Sequence, residues 1–141
     1  MNPADKFALD GSIALAWYFR DEQDAYADSV ATKLNAAAAI VPMIWHLEIA
    51  NAIIVGERRK RSTMAQAASW LSFLRSLTIL VDSETDARAW SETLILARTH
   101  NLSAYDAAYL ELAVRLSLPL ATLDKGLRAA AKSAGVPLYK P

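Results

Sequence analysis

Four acids stand in apolar surroundings, in a pattern that suits a divalent cation. Asp10 closes the run Phe7-Ala8-Leu9. Glu48 falls inside Ile44-Trp45-His46-Leu47-Glu48-Ile49-Ala50. Asp106 opens a stretch rich in Ala, Tyr and Leu, and Asp124 follows Leu118-Pro119-Leu120-Ala121-Thr122-Leu123. A carboxylate taken out of water is costly unless it is paired or binds a metal. Carboxylates are the ligands of hard cations such as Mg²⁺ and Mn²⁺. A cluster of them cannot stay ionised without a compensating charge, because like charges a few Å apart repel strongly.

Each acid also has an ordinary reading. Asp10 precedes Gly11-Ser12 and suits a turn or a helix N-cap. Glu48 shares a helical face with Trp45, Ile49, Ala52 and Ile53, so it lies in the apolar stripe. The alternative is a glutamate at the margin of that stripe, reaching solvent or a nearby arginine. Asp106 can close a capping box begun by Ser103, yet it also shares a face with Tyr109, Leu110 and Ala113. Asp124, followed by Lys125-Gly126, suits a turn or an N-cap. Ser12 and Thr122 lie two residues from Asp10 and Asp124. Their hydroxyls can orient a carboxylate or a water behind a metal, or simply cap helices.

Such acids act together only if the chain brings them to one place. Phe7–Leu9, Ala38–Val41, Thr78–Val81 and Pro119–Thr122 read as strands, and Val136–Leu138 as a short fifth. Helices are expected over Ser12–Phe19, Asp24–Ala37, Ile44–Arg59, Met64–Leu74, Ser83–Thr99, Ser103–Leu116 and Lys125–Ala134. Ser62 or Thr63 suits the cap of the fourth, Ser83-Glu84-Thr85-Asp86 resembles a capping box for the fifth, and Gly135 suits the end of the last. Apolar strands alternating with helices point to an α/β fold, a central parallel sheet of about four to five strands flanked by about seven helices. In such sheets ligands bind beyond the carboxyl ends of the strands, where Asp10 and Asp124 fall.

The chain has 141 residues, 54% of them hydrophobic, and a formal net charge of zero. That size and composition suit one domain, residues 1–141, with a substantial core. A neutral chain is not a broadly basic nucleic-acid coat, so nucleic-acid contact would need local basic patches. Lys125, Arg128 and Lys132 share one face of the last helix, and Arg58-Arg59-Lys60-Arg61 follows the Glu48 helix. Both also read as solvated helix faces or helix-end cations. There are no cysteines, which excludes disulfides and thiolate zinc sites. No run reaches the ~20 apolar residues that span a bilayer. Met1–Lys6 shows no signal-peptide pattern, so a cytoplasmic location without membrane association is expected. His46 and His100 read as structural. Trp17 and Tyr18, close behind Asp10, suit a partner groove or a dimer contact.

Four segments carry a family resemblance: Phe7-Ala8-Leu9-Asp10-Gly11-Ser12, Pro42 to Ala52 with its Glu48-Ile49-Ala50-Asn51-Ala52, Ser103-Ala104-Tyr105-Asp106-Ala107-Ala108-Tyr109, and Ala121-Thr122-Leu123-Asp124. In that order they resemble the motifs of PIN-domain ribonucleases, most closely the VapC toxins of bacterial toxin–antitoxin pairs. All four acidic positions are kept. The resemblance implies metal-dependent endonucleolytic cleavage of RNA, with Mg²⁺, or Mn²⁺ in its place, held by Asp10, Asp106, Asp124 and Glu48. It also implies a homodimer silenced by a VapB-type antitoxin.

Other classes fit less of the chain. A phosphoacceptor receiver domain would use Asp82, after the third strand, but has no need of Glu48 in an apolar helix face. A haloacid-dehalogenase-type phosphohydrolase would want an acid where Ser12 stands. A non-enzymatic α/β interaction module would leave all four acids as caps.

Overall fold

A computed structural model describes residues 5–141; the start of the segment read for a signal peptide, Met1–Ala4, lies outside the described residues. The chain opens with β1 (Lys6–Leu9) and α1 (Gly11–Tyr18). A 3-10 turn (Arg20–Glu22), α2 (Ala25–Lys33), β2 (Ala38–Val41) and α3 (Ile44–Arg58) follow. Then come α4 (Met64–Ser76), β3 (Ile79–Val81), α5 (Thr85–Arg88) and α6 (Glu92–His100). The chain ends with α7 (Ala104–Leu116), β4 (Leu120–Ala121) and α8 (Lys125–Ser133). All strand pairs are parallel and the order is β3-β2-β1-β4.

β1 and β2 are central because both their faces are apolar. Phe7, Ala8 and Leu9 are fully buried, as are Ala39 and Val41. Around them, Ile13, Val30, Leu110, Leu112, Leu120 and Leu127 complete the core, and the Tyr139 ring stacks on Phe7 at 3.9 Å. The chain runs outward from β1 to β2 to β3 and then returns to the other side of β1 with β4. That reversal makes the gap between β1 and β4 the switch point of the sheet. The register sets Leu9 beside Ala121, and the Asp10 amide donates to the Ala121 carbonyl at 3.0 Å. The ends of these two strands therefore lie side by side.

Three expectations are altered. The fifth strand shrinks to one bridge, Leu120 to Leu138, because Pro137 in its middle offers no N–H to a ladder. β3 is an edge strand whose Leu80 and Val81 are about half exposed (47% and 46%), so it is not covered on both faces. The expected helix from Ser83 to Thr99 is two helices. The Thr85 hydroxyl donates to Asp82 at 2.6 Å rather than joining a capping box, and the Ser91 hydroxyl turns to the Glu92 carboxylate where the backbone breaks. Local side-chain bonds of this kind compete with helix continuation. Thr63 does cap α4, in a full capping box with Gln66, and Gly135 ends α8 at φ 77° with the Val136 amide bonded to the Ala131 carbonyl.

Candidate metal centre

Asp10 follows β1 and occupies the N-cap position of α1, but its side chain does not cap the helix. It is only 5% exposed, and its Oδ2 accepts from the Ser12 hydroxyl and the Thr122 hydroxyl, each at 2.7 Å. Each hydroxyl in turn accepts from a backbone amide: Ser12 from Leu123 and Thr122 from Asp124, both at 3.0 Å. That second bond aims each O–H at Asp10. The network ties the end of β1 to the end of β4. Burial pushes the Asp10 carboxyl above its usual range and the nearby Asp124 charge adds to the push, while the two hydroxyls oppose it.

Glu48 arrives from the first half of α3. Trp45, Ile49 and Ile53 are buried and Glu48 is half-buried, at the margin of their stripe. Its Oε1 accepts from the hydroxyl of Tyr109 at 2.8 Å, and its Oε2 lies against Gly11, where an added Cβ would sit 3.7 Å away. Burial, then the charges of Asp10 and Asp106, push Glu48 up. Tyr109 is fully buried, and burial together with the Glu48 charge raises its hydroxyl well above the ordinary range, so it stays a donor.

Asp106 lies in the first turn of α7. Ser103 accepts from the Asp106 amide at 3.1 Å, but the reciprocal bond of a capping box is not formed there. Burial, then Asp10, then Asp124 raise the Asp106 carboxyl. Asp124 does the ordinary job as well: its Oδ2 accepts from the Leu127 amide at 2.7 Å and caps α8. The structure thus brings the four acids from four elements within one another's fields. Among the described residues, no three of them form a ready-made coordination cage. The donor set fits Mg²⁺ nevertheless: all donors are hard oxygens, their mutual repulsion favours a cation, and Mg²⁺ keeps several waters that extend the reach of each carboxylate.

A family model described as "PIN domain" matches residues 7–133. The chain belongs to the PIN-domain family. Among solved structures, PAE2754 from Pyrobaculum aerophilum is similar at 27% identity and a TM-score of 0.65, over 89% of this chain and 78% of that one. FitAcB from Neisseria gonorrhoeae is similar in fold at 21% identity and a TM-score of 0.53, over 96% and 97% of the two chains. A comparison with curated proteins gave no match. PIN domains are generally metal-dependent nucleases, which makes this chain coarsely a hydrolase.

Within this PIN domain the basic residues divide. Arg128 turns inward: its Nε donates to the Thr122 carbonyl at 2.7 Å and its guanidinium lies 5.1 Å from the centre of the Tyr26 ring. Lys125 and Lys132 are exposed, Lys125 beside Asp124 and Lys132 two turns of α8 further away. Arg61 is bound by Asp21 and Glu22, each at 2.8 Å, and stacks 3.9 Å from the Phe19 ring centre, whereas Arg58, Arg59 and Lys60 are exposed. Neither His46 nor His100 joins the acids. Asp82 is not an open phosphoacceptor: Arg115 holds it at 2.7 and 3.2 Å and Thr85 at 2.6 Å.

Two features escaped the sequence. Tyr109 was legible only as a face-mate of Asp106, since its bond to Glu48 crosses 61 positions. The Arg115–Glu111–Asp82 cluster, with Glu111 bonded at 2.7 Å, was half legible in its i, i+4 spacing. Trp17 and Tyr18 do line a groove, of about 740 Å³, with Arg20, Arg61 and Trp70. A second cleft, of about 320 Å³, runs from Glu48 past Asn51 and Val55 to the same Arg61.

Proposed function

We propose that this chain is an Mg²⁺- or Mn²⁺-dependent endoribonuclease, the toxin of a VapBC-type pair, built as one domain over residues 1–141 and acting in the cytoplasm. The observation that carries the reading is the meeting of Asp10, Glu48, Asp106 and Asp124 at the switch point, with three of the four carboxyls raised by burial and by one another. In this reading Asp10, Asp106 and Asp124 hold the ion, directly or through water, and Glu48 completes the shell or takes the proton of the attacking water. A bound divalent ion supplies an acidified water and offsets the charge of the scissile phosphate and of the leaving oxygen. Ser12 and Thr122 keep Asp10 in place. Tyr109 orients Glu48 and opposes the burial that would protonate it, as suits a general base. Lys125 stands at the mouth to meet a phosphate, with Lys132 along the same helix; Arg128 contributes its charge from behind the Thr122 carbonyl. The products expected from the resemblance carry a 5′-phosphate and a 3′-hydroxyl.

The clefts that meet at Arg61 support a protein partner. A VapB-type antitoxin seated on Trp17, Tyr18 and Trp70 would reach Glu48 along Arg61, Val55 and Asn51. The exposed apolar side chains supply surface for a homodimer.

The test is cleavage of total RNA by purified, antitoxin-free protein with Mg²⁺ or Mn²⁺, with EDTA, and with Asp10→Asn. Discrete fragments that need the ion and vanish in the variant support the reading. A folded wild-type protein that leaves RNA intact with either ion defeats it.

A further inference from the structure

The cleft of about 320 Å³ that opens at Glu48 is lined further by Phe19, Glu22, Asn51, Val55 and Arg61. Glu48 belongs both to the acid cluster and to this cleft, so an occupant of the cleft adjoins the group on which Glu48 would act. Asn51 stands one turn beyond Glu48 on α3, and Val55 two turns, about 10 Å along the axis.

Charge decides which part of a nucleotide fits. Two carboxylates, Glu22 and Glu48, line the cleft, and Arg61 is the one cation among its lining residues. That cation is already compensated, since Asp21 and Glu22 both accept from its Nη2 at 2.8 Å. A phosphate would meet a net negative wall, whereas a base carries no charge. The Arg61 guanidinium lies 3.9 Å from the centre of the Phe19 ring, and its side chain keeps 34% of its surface exposed. A guanidinium held in this way is a flat platform, and unstacked bases lie on guanidinium planes as they do on aromatic rings. Asn51 is exposed. Its amide carries a donor beside an acceptor, the pair that meets N6 and N7 of adenine with two bonds. The volume falls at the lower end of the ~300–1,000 Å³ range of ligand sites and suits one ring system, not a base pair. In an A-form duplex, moreover, the deep groove is closed to side chains.

We infer that the cleft between Glu48 and Arg61 holds one unpaired nucleobase of the substrate RNA, stacked on Arg61 and read by Asn51, with adenine the best match. The inference rests on the ribonuclease reading for its substrate, but the cleft is probed without any cleavage. It makes single-stranded RNA the substrate class and sets a base preference at one position beside the cut. An antitoxin arm following the same cleft would displace the base, so the two compete.

The probe is adenosine, titrated into the full chain in EDTA, so that no phosphate, metal or cleavage is involved. It should move the Asn51 side-chain amide signals saturably in a ¹H–¹⁵N spectrum, these being the signals missing from Asn51→Ala. Val55→Phe, which fills the cleft from a partly exposed position, should abolish the shift while the rest of the spectrum persists. Arg61→Lys keeps a cation for Asp21 and Glu22 but has no flat face. It should weaken adenosine about tenfold, within the range that one stacked base contributes. With Mg²⁺ the wild type should cut a hairpin RNA in its loop and not in its stem, beside an unpaired adenine, and Val55→Phe should lose that preference. The inference fails if adenosine moves no Asn51 signal by about 10 mM, or if Val55→Phe and Arg61→Lys leave the titration unchanged; the cleft is then left to the antitoxin alone. RNA cleaved by a protein whose cleft ignores adenosine defeats this inference and spares the ribonuclease reading. A folded protein that binds adenosine in the cleft and cuts no RNA keeps the base site and defeats the ribonuclease reading instead.

Discussion

Tyr109 is the residue on which the state of Glu48 turns. A half-buried glutamate near two other carboxylates tends to take up a proton, and the tyrosine hydroxyl is the protein group that opposes this. Tyr109→Phe keeps the ring and removes only the donor. Glu48 can still reach water, so the loss of stability should be modest, about 1 kcal/mol. The chemical effect should be larger. With its donor gone the Glu48 carboxyl rises further, so the acid limb of the pH–rate profile should move to higher pH, with activity at alkaline pH largely kept. Rate profiles of the two proteins with Mg²⁺ would show this. An unshifted acid limb would remove Glu48 from the role of base. At this scale the acids themselves were legible, because an acid inside an apolar run is conspicuous. Their partners were not, since Tyr109 is an ordinary aromatic until the fold brings its hydroxyl to Glu48.

At the scale of elements, the helices and central strands followed from pattern where one signal dominated. β2, entirely apolar, has the expected bounds, and α3 and α4 begin where expected. Reading failed where a side chain or a proline diverted the backbone, at Ser91 and at Pro137. It also failed to say which strand lies at the edge, because β3 is as apolar as its neighbours and only pairing order exposes it. The α3 helix hides a further constraint. Gly56 sits in its last turns, where alanine would ordinarily stabilise a helix by up to about 1 kcal/mol. Here a Cβ would lie 2.9 Å from two carbons of the Phe19 ring and 2.9 Å from the Ser62 hydroxyl oxygen. The ring is itself fixed beneath Arg61. Gly56→Ala should therefore destabilise, by about 1–3 kcal/mol, as overpacking does. Urea unfolding would decide the sign. A stabilised variant would show that the turn around Phe19 yields freely.

For the whole molecule, the acids make the metal-free fold oppose its own site. Asp10, Glu48 and Asp106 all have carboxyls raised above their unfolded values. A raised carboxyl binds its proton more tightly in the folded chain than in the unfolded one. Each therefore favours the fold below the unfolded value, about pH 4, and that contribution is lost as pH rises through the raised folded value. In EDTA the melting temperature should fall as pH climbs from about 4 towards neutrality, other titrations aside. A divalent ion that binds only the folded chain restores stability in proportion to ln(1 + [L]/Kd) and needs the carboxylates ionised. The Mg²⁺ increment in melting temperature should thus be larger at pH 7.5 than at pH 5. Asp10→Asn keeps the shape and removes the most buried of the site's four acids. It should melt higher than the wild type in EDTA at pH 7.5, with a smaller pH slope, and should lose most of the Mg²⁺ increment. Thermal scans of both proteins at the two pH values, with EDTA and with Mg²⁺, test all of this together. If Asp10→Asn melts lower in EDTA and keeps the full Mg²⁺ increment, Asp10 is a structural acid held for its bonds to Ser12 and Thr122, and the ion binds elsewhere.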